Sequence, residues 1–306
     1  MDVRRLRILR ELADRGSVTA VAAALNYTPS AVSQQLKVLS REAGIALTVP
    51  DGRGLRLTEA GSAVVAGTGD VLAALGRLDE TVAGLRDRPL GTVRLVLFPS
   101  AARLLLPGLL HRATVHDGLV LSCRDLDLRP DEIPVAAAEA DVVVSHHDER
   151  VDPFDGGRLQ VHPLLREPLD VALPPGHPLS TRAAVDLTDL ADEDWISVAA
   201  GWPIDDVLSS LALVTGTTPR IVQRINDFSV TEELVARGHG VALLPRYSTD
   251  DRGGTRLALR PLAGVRAARL VRAVCRPEAA QRPAVRVVLD ELAAEADTVR
   301  SGAAAG

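Results

Sequence analysis

From Pro89 onward, short runs rich in valine and leucine alternate with helical segments, and this alternation restricts the fold more than any other feature. Thr92–Phe98, Leu119–Arg124 and Asp141–Ser145 read as strands, with helices at Ala101–Val115 and Pro130–Ala138 between them. A second set follows, with strands at Leu169–Leu173, Trp195–Val198, Arg220–Asn226 and Val241–Leu244 and helices near Ile204–Val214 and Val230–Arg237. Strand Leu270–Cys275 and helix Ala284–Ala296 close the pattern. Apolar strands alternating with helices form largely parallel sheets covered on both faces. Two such sets, with one strand and one helix left over, imply two lobes that share crossover connections. The expected fold is therefore α/β over 90–298. One lobe takes about 91–161 and 267–298, the other about 162–266, and 299–306 is expected to be a disordered tail.

The segment ahead of this region has a different rhythm. Val3, Leu6, Leu9 and Leu12 recur at helical spacing. Gly16 stops that helix, and Ser17 caps a second one carrying Val21, Ala22 and Leu25. After a break at Asn26-Tyr27, Thr28 is an N-cap with Pro29 at the first helical position, where a missing N–H costs nothing. In the helix that follows, Val32, Leu36, Leu39 and Ala43 form a buried face. Ser30, Ser33, Gln34, Lys37 and Arg41 occupy the other side, a stripe of short hydroxyls, an amide and two cations without an acid. Such a stripe can enter a DNA major groove, hydroxyls and amides meeting base edges and cations meeting phosphates. A helix, a short turn and a polar-faced second helix make the helix-turn-helix arrangement, although a small bundle with a solvated polar face has the same spacing. Asp51-Gly52-Arg53-Gly54 forms a turn between two short extended pieces, closing residues 1–58 as a unit.

Thr58–Arg88 reads as one long helix, assigned with its flanks to a linker over 59–89. Val64, Thr68, Val71, Leu75, Leu78, Val82 and Leu85 alternate steps of four and three, the rhythm of a coiled-coil seam. Gly61, Gly67, Gly69, Gly76 and Gly84 weaken the helix, each by about 1 kcal/mol relative to alanine, so packing along the seam must supply stability. Dimerisation or packing on its own domain would both satisfy the seam; the boundary at Pro89 favours dimerisation.

The charge distribution agrees with a division of labour. The formal net charge is −5. Residues 1–57 hold nine Lys and Arg against five Asp and Glu, a balance of +4, which leaves −9 for the remainder. That asymmetry points to a nucleic-acid-binding end and a different kind of partner elsewhere. Two cysteines exclude a disulfide scaffold. No apolar run approaches the ~18 residues of a membrane span, and the charged start Met1–Arg7 is unlike a signal peptide. A cytoplasmic protein without membrane contact is expected.

The N-terminal motif resembles the LysR-type transcriptional regulators. The likeness rests on Gly16-Ser17-Val18-Thr19-Ala20-Val21-Ala22-Ala23-Ala24-Leu25, then Thr28-Pro29-Ser30-Ala31-Val32-Ser33-Gln34-Gln35-Leu36, and then Gly52-Arg53-Gly54-Leu55-Arg56-Leu57-Thr58-Glu59-Ala60-Gly61. It continues through Gly91–Leu95, Leu106–Leu110, Leu173–Leu179 and Gly238–Pro245, spanning nearly the whole chain in order. The resemblance implies a winged helix-turn-helix, a linker helix that pairs two subunits, and a two-lobed effector domain related to periplasmic binding proteins. It implies sequence-specific regulation of transcription on double-stranded DNA, modulated by a small-molecule effector between the lobes. Homodimers or homotetramers, with RNA polymerase as a further partner, are implied as well. DNA contacts fall by resemblance on Thr28, Ser30, Ser33, Gln34 and Lys37, and at the wing on Arg53 and Arg56. Where the family carries Phe and Arg before the wing, this chain has Thr48 and Pro50, which removes an aromatic packing residue and a phosphate contact.

Ligands in α/β sheets sit beyond the carboxyl ends of strands. The matching positions are Pro99, Ser100 and Ala101, Ser145 and His146, Ala199 and Ala200, and Asp227, Phe228 and Ser229. A helix start at Pro99-Ser100-Ala101 attracts anions, so a small, carboxylated effector is expected. Side chains of the adjacent His146 and His147 diverge and lack a third ligand, so no metal is expected. Cys123 and Cys275 stand in strands of one lobe, where thiols behave as small hydrophobes, and His162-Pro163 reads as a turn. The sequence contains no Gly-rich phosphate loop, serine elbow or paired-carboxylate signature. Neither a cofactor nor enzymatic activity is expected. The rival class is a stand-alone small-molecule-binding protein or enzyme whose N-terminal helices serve as an oligomerisation cap.

Overall fold

The computed structural model describes residues 1–52, 54–84, 91–149, 153–154, 158–216, 218–264 and 267–305. Three helices open the chain: α1 (Val3–Arg15), α2 (Val18–Leu25) and α3 (Pro29–Ala43). They enclose one apolar core in which Leu9, Val21, Val32, Leu39 and Leu47 have no exposed surface. A two-stranded antiparallel ribbon follows, β1 (Thr48–Asp51) and β2 (Gly54–Leu57), with Thr48 opposite Leu57. The ribbon closes despite Thr48 and Pro50, because Leu55 and Leu57 turn inward onto the same core.

Helix α4 (Glu59–Gly84) leaves this unit through a tightly specified corner. Thr58 donates its hydroxyl to the Ala46 carbonyl at 2.8 Å and accepts the Gly61 amide at 2.9 Å. Gly61 is obligatory there, since a Cβ would stand 2.1 Å from the Leu47 carbonyl oxygen. One face of α4 buries Val65, Leu72 and Ala73 against the chain's own core. Val71, Leu78 and Val82 remain 42–59% exposed, spaced seven and four residues apart. Both readings of the seam therefore coexist, an inner face used within the chain and an outer apolar stripe left open. Leu85, Arg88 and the boundary at Pro89 lie outside the described residues.

Beyond the linker, β3 (Gly91–Leu97), β4 (Leu119–Asp125) and β5 (Val142–Asp148) run parallel, with α5 (Pro99–Ala113) and α6 (Ile133–Glu139) in the crossovers. The second lobe repeats the pattern with β7 (Asp194–Ser197), α7 (Pro203–Thr215), β8 (Arg220–Arg224), α8 (Phe228–Ala236) and β9 (Val241–Pro245). Between the lobes run β6 (Gln160–Leu173) and β11 (Ala268–Cys275), both antiparallel to their neighbours; β10 (Ala258–Pro261) flanks β6. The continuous order is β4-β3-β5-β11-β6-β9-β7-β8. The sheet is thus parallel within each lobe and antiparallel at the join.

The join departs from the sequence expectation. Gln160–Pro168 of β6 pairs with β11, and Leu169–Ala172 pairs with β9, so the strand changes lobe after Pro168 rather than at 162. His162-Pro163 lies within this strand and not in a turn. Pro163 has no N–H to give the ladder, and the register shifts beside it, between Val271 and Arg272. The end of the chain differs too. Helix α9 (Pro283–Ala305) continues through the segment expected to be disordered, because alanine is the strongest helix former; Gly306 lies outside the described residues.

The N-terminal unit is docked against the first lobe through a second face of α1. Arg276 Nη1 is 2.8 Å from Glu11 Oε1, and Arg276 Nη2 is 2.6 Å from Asp14 Oδ2. Arg10, 1% exposed, reaches Asp14 and the Arg158 carbonyl, and Arg15 bridges Glu11 and Glu139. Burial alone would raise the Glu11 carboxyl, but Arg276 and then Arg15 outweigh it and hold it below the usual range. No helix among the described residues is long and apolar enough to cross a membrane.

Candidate nucleic-acid interface and ligand cleft

The polar stripe of α3 is set by its caps. Ser17 accepts the Ala20 amide at the start of α2, and Asn26 ends that helix in the left-handed region at φ 55°, which asparagine tolerates. Thr28 accepts the Ala31 amide at 3.2 Å and lies 3.0 Å from the Ser30 hydroxyl, so both hydroxyls are held at the first turn. With Val32, Leu36 and Leu39 in the core, Thr28, Ser30, Gln34 and Lys37 are exposed and Ser33 is half-buried. Among the described residues, Lys37 and Arg41 have no ion-pair partner. The one acid of α3, Glu42, is neutralised by Arg5. Arg56 projects from β2 on the face opposite Leu55 and Leu57. Arg53 lies outside the described residues. The structure thus gathers Thr28, Ser30, Ser33, Gln34 and Lys37 on one helix face and sets Arg56 on the adjacent ribbon.

Between the lobes lies a cavity of about 470 Å³, in the range of small-molecule sites. Pro99, Ser100, His146, Asp227, Phe228 and Ser229 line it. Four other expected residues do not. Ala101 is on the inner face of α5, packed in the first lobe's core, and Ser145 is buried within β5. Ala199 and Ala200 stand in the turn after β7, where the Ala199 amide donates to the Asn226 side chain at 2.8 Å. Alternation along β5 turns Ser145, and the helical period of α5 turns Ala101, away from the opening.

Arg269, carried by one of the two joining strands, lines the cavity and is paired with Glu167 of the other; the sequence reading names neither. Arg269 is 1% exposed and Glu167 fully buried, with Arg269 Nε and Nη2 at 2.9 and 2.7 Å from Glu167 Oε2. Nη2 also donates to the Ser100 hydroxyl at 2.9 Å. Glu167 Oε1 accepts the backbone amides of Tyr247 and Ser248 from the second lobe. The guanidinium carbon lies 4.9 Å from the Phe98 ring centre and 5.8 Å from that of Phe228, one ring from each lobe. Arg269 Nη1 has no hydrogen-bond partner among the described residues. The signal was present as Arg269 beside Leu270, but a strand pattern alone does not say which charged residue is enclosed.

His146 packs on Phe98 with ring centres 4.4 Å apart. Burial pushes its ring below the usual histidine value, opposed by Asp127 at 3.5 Å, which leaves it neutral at pH 7. Its Nδ1 has no partner among the described residues. Asp227 caps α8, and the Ser229 hydroxyl and amide hold its carboxyl below the usual range. In contrast, α5 has no side-chain cap, so its first amides are free to meet a ligand's acceptor. Among the described residues no cluster of metal-ligating side chains forms.

The two cysteines are in unreactive settings. Burial raises the Cys123 thiol and pushes Cys275 up to about 12, the direction opposite to thiolate activation. In the sheet β3 and β5 separate their strands, a span of about 14 Å, too wide for a disulfide.

Comparison with known proteins follows the same division. The family profile described as "Bacterial regulatory helix-turn-helix protein, lysR family" matches residues 3–62, and "LysR substrate binding domain" matches 86–297. The chain is 28% identical over 273 residues to the Hca operon transcriptional activator HcaR of Escherichia coli, covering 86% of this chain and 88% of that one. It is 26% identical over 249 residues to the malonate utilization transcriptional regulator of Klebsiella pneumoniae, covering 79% and 78%. Full-length OxyR from Pseudomonas aeruginosa has a similar fold, with a TM-score of 0.63 at 21% identity over 95% of this chain and 94% of that one.

Proposed function

The chain belongs to the LysR family of transcriptional regulators, which bind DNA and small-molecule effectors as oligomers, and from that premise we propose how its residues divide the work. It is a regulator and not an enzyme. Residues 1–58 bind double-stranded DNA, 59–89 form the linker, and 90–298 hold the effector. Ser33 and Gln34 of α3 read base edges, helped by Thr28 and Ser30 at its first turn. Lys37, Arg56 and Arg53 meet phosphates or the minor groove. The observation that carries this reading is the capped α3, whose acid-free polar stripe is exposed while its apolar face closes the core.

Assembly uses the outer stripe of α4, where Val71, Leu78 and Val82 pair two copies in a homodimer, and two dimers can form a homotetramer. The effector is a small carboxylate held in the inter-lobe cavity at the uncapped start of α5, beside Ser100. Closure of the lobes changes the spacing of the two recognition helices, and through it the contact with RNA polymerase in the cytoplasm.

A footprint on the DNA flanking the protein's own gene tests the first part. The wild-type chain protects a defined site, and binding weakens steeply with salt. Ser33→Arg abolishes that footprint while circular dichroism and the thermal midpoint stay unchanged. Unaltered protection by Ser33→Arg refutes the assignment.

A further inference from the structure

The charge around the inter-lobe cavity is unequally compensated. Its two cations are already engaged, Arg269 by Glu167 at 2.7 Å and Arg103 by Glu232 at 3.6 Å. Asp227 is satisfied as the cap of α8. Asp125 and Asp127, following one another closely at the end of β4, face the same cavity. Among the described residues Asp125 has no ion-pair partner, and Asp127 meets only the ring of His146, which burial keeps neutral. One wall therefore carries two carboxylates without a countercharge.

The opposite requirement stands beside it. The uncapped start of α5 offers backbone amides, and the 1%-exposed Arg269 lines the cavity with Nη1 unpartnered. The whole chain has three phenylalanines and two tryptophans, yet Phe98, Phe228 and Trp202 all line this one cavity. Phe98 also packs in the first lobe's core, and Trp202 and Phe228 against the second's, so each ring is held by its lobe while it gives the cavity an aromatic surface suited to a ring-bearing ligand.

We propose that the effector is an aromatic zwitterion of the α-amino-acid class. Its ammonium lies at Asp125 and Asp127, its carboxylate at the start of α5 beside Ser100 and Arg269, and its ring among Phe228, Trp202 and Phe98. The proposal rests on the reading of this cavity as the effector site and narrows it from any small carboxylate to one that also carries a cation.

Matched ligands separate the two charges. L-phenylalanine, L-tryptophan, 3-phenylpropionate (no ammonium) and 2-phenylethylamine (no carboxylate) are titrated into the full-length protein at pH 7 by calorimetry. At least one of the two amino acids binds, and each single-charge analogue binds at least about tenfold more weakly, the loss of one charged contact. Asp127→Asn weakens the amino acid about tenfold and leaves 3-phenylpropionate unchanged. Equal affinity for 3-phenylpropionate overturns the zwitterion but spares the carboxylate reading of the cleft. Equal affinity for 2-phenylethylamine removes the carboxylate from both. Absence of binding by both amino acids overturns the proposed class, while the footprint on DNA stands independently.

Discussion

Arg269→Met tests the reasoning about the cavity floor. Methionine keeps the length of the aliphatic stem but removes the guanidinium, stranding Glu167 in a site with no exposed surface. Two hydrogen bonds to Glu167 Oε2, at 2.7 and 2.9 Å, are lost together with the 2.9 Å bond to Ser100 and the contacts to both rings. Glu167 retains only the Tyr247 and Ser248 amides. Removing one member of a buried pair costs about 3–5 kcal/mol. For a domain near 200 residues this corresponds to a fall of about 6–20 °C in the thermal midpoint. Urea unfolding followed by tryptophan fluorescence reads the effect selectively, because Trp195 and Trp202 are the only tryptophans and both lie in the second lobe. The double variant Arg269→Met, Glu167→Gln supplies the control: the amide carbonyl still accepts the two backbone bonds, but no charge is buried. It recovers about 2–3 kcal/mol of the loss, since replacing both partners removes the desolvation cost that breaking one exposes. A single variant within about 1 kcal/mol of wild type, or a double variant no better than the single, refutes the claim that an isolated buried charge dominates this site.

Three further outcomes follow from the other units. Gly61→Ala puts a methyl 2.1 Å from the Leu47 carbonyl oxygen and costs about 2–3 kcal/mol, lowering the midpoint of the N-terminal unit by circular dichroism; an unchanged midpoint refutes the close approach. Lys37→Ala weakens binding to specific and nonspecific DNA alike and reduces the salt slope by about one, so a loss confined to one sequence contradicts a phosphate role. Arg276→Met removes the countercharge shared by Glu11 and Asp14. Glu11 is lower in the folded chain than in the unfolded one, so its contribution is present above about pH 4.3 and is lost as pH falls through the folded value. That loss on acidification is expected to shrink in Arg276→Met, and an identical pH profile for the two proteins counts against the pairing.

The parts that could be read from the sequence are those governed by local rules. Capping at Ser17 and Thr28, Pro29 at the first turn, and the 4-3-4 spacing of Val32, Leu36, Leu39 and Ala43 specify the helix-turn-helix within a short stretch of chain. The central strands of each lobe, such as β5 and β9, are legible because buried parallel strands are rich in apolar residues, whereas the edge strands β4 and β8 are largely exposed. The join is not legible. Residues 160–168 of β6 carry His162, Pro163, Arg166, Glu167 and Pro168, a composition that argues against a strand until β11 and the lobes around it bury part of the run. The cavity has the same character. Strand-end rules located Ser100, His146 and the start of α8, but Arg269 comes from β11, Asp125 and Asp127 from the end of β4 and Trp202 from the start of α7, and only the sheet order brings them to one place.

The join also explains why a basic end and an acidic remainder belong to one machine. Helix α1 presents Leu6, Leu9 and Leu12 to the DNA-binding core and Arg10, Glu11, Asp14 and Arg15 to the first lobe. Its charged residues near Gly16 therefore neutralise one another and Arg276, leaving the positive surface of α3 and the ribbon free to face DNA. Arg276 directly follows Cys275, the last residue of β11, and Arg269 sits near the other end of that strand, beneath the cavity. A single eight-residue strand thus ends at the ligand cleft on one side and at the recognition unit on the other. Arg276 thereby ties the α1 face it grips to the strand that carries Arg269. The register irregularity at Val271/Arg272 lies midway along β11, between these two sites.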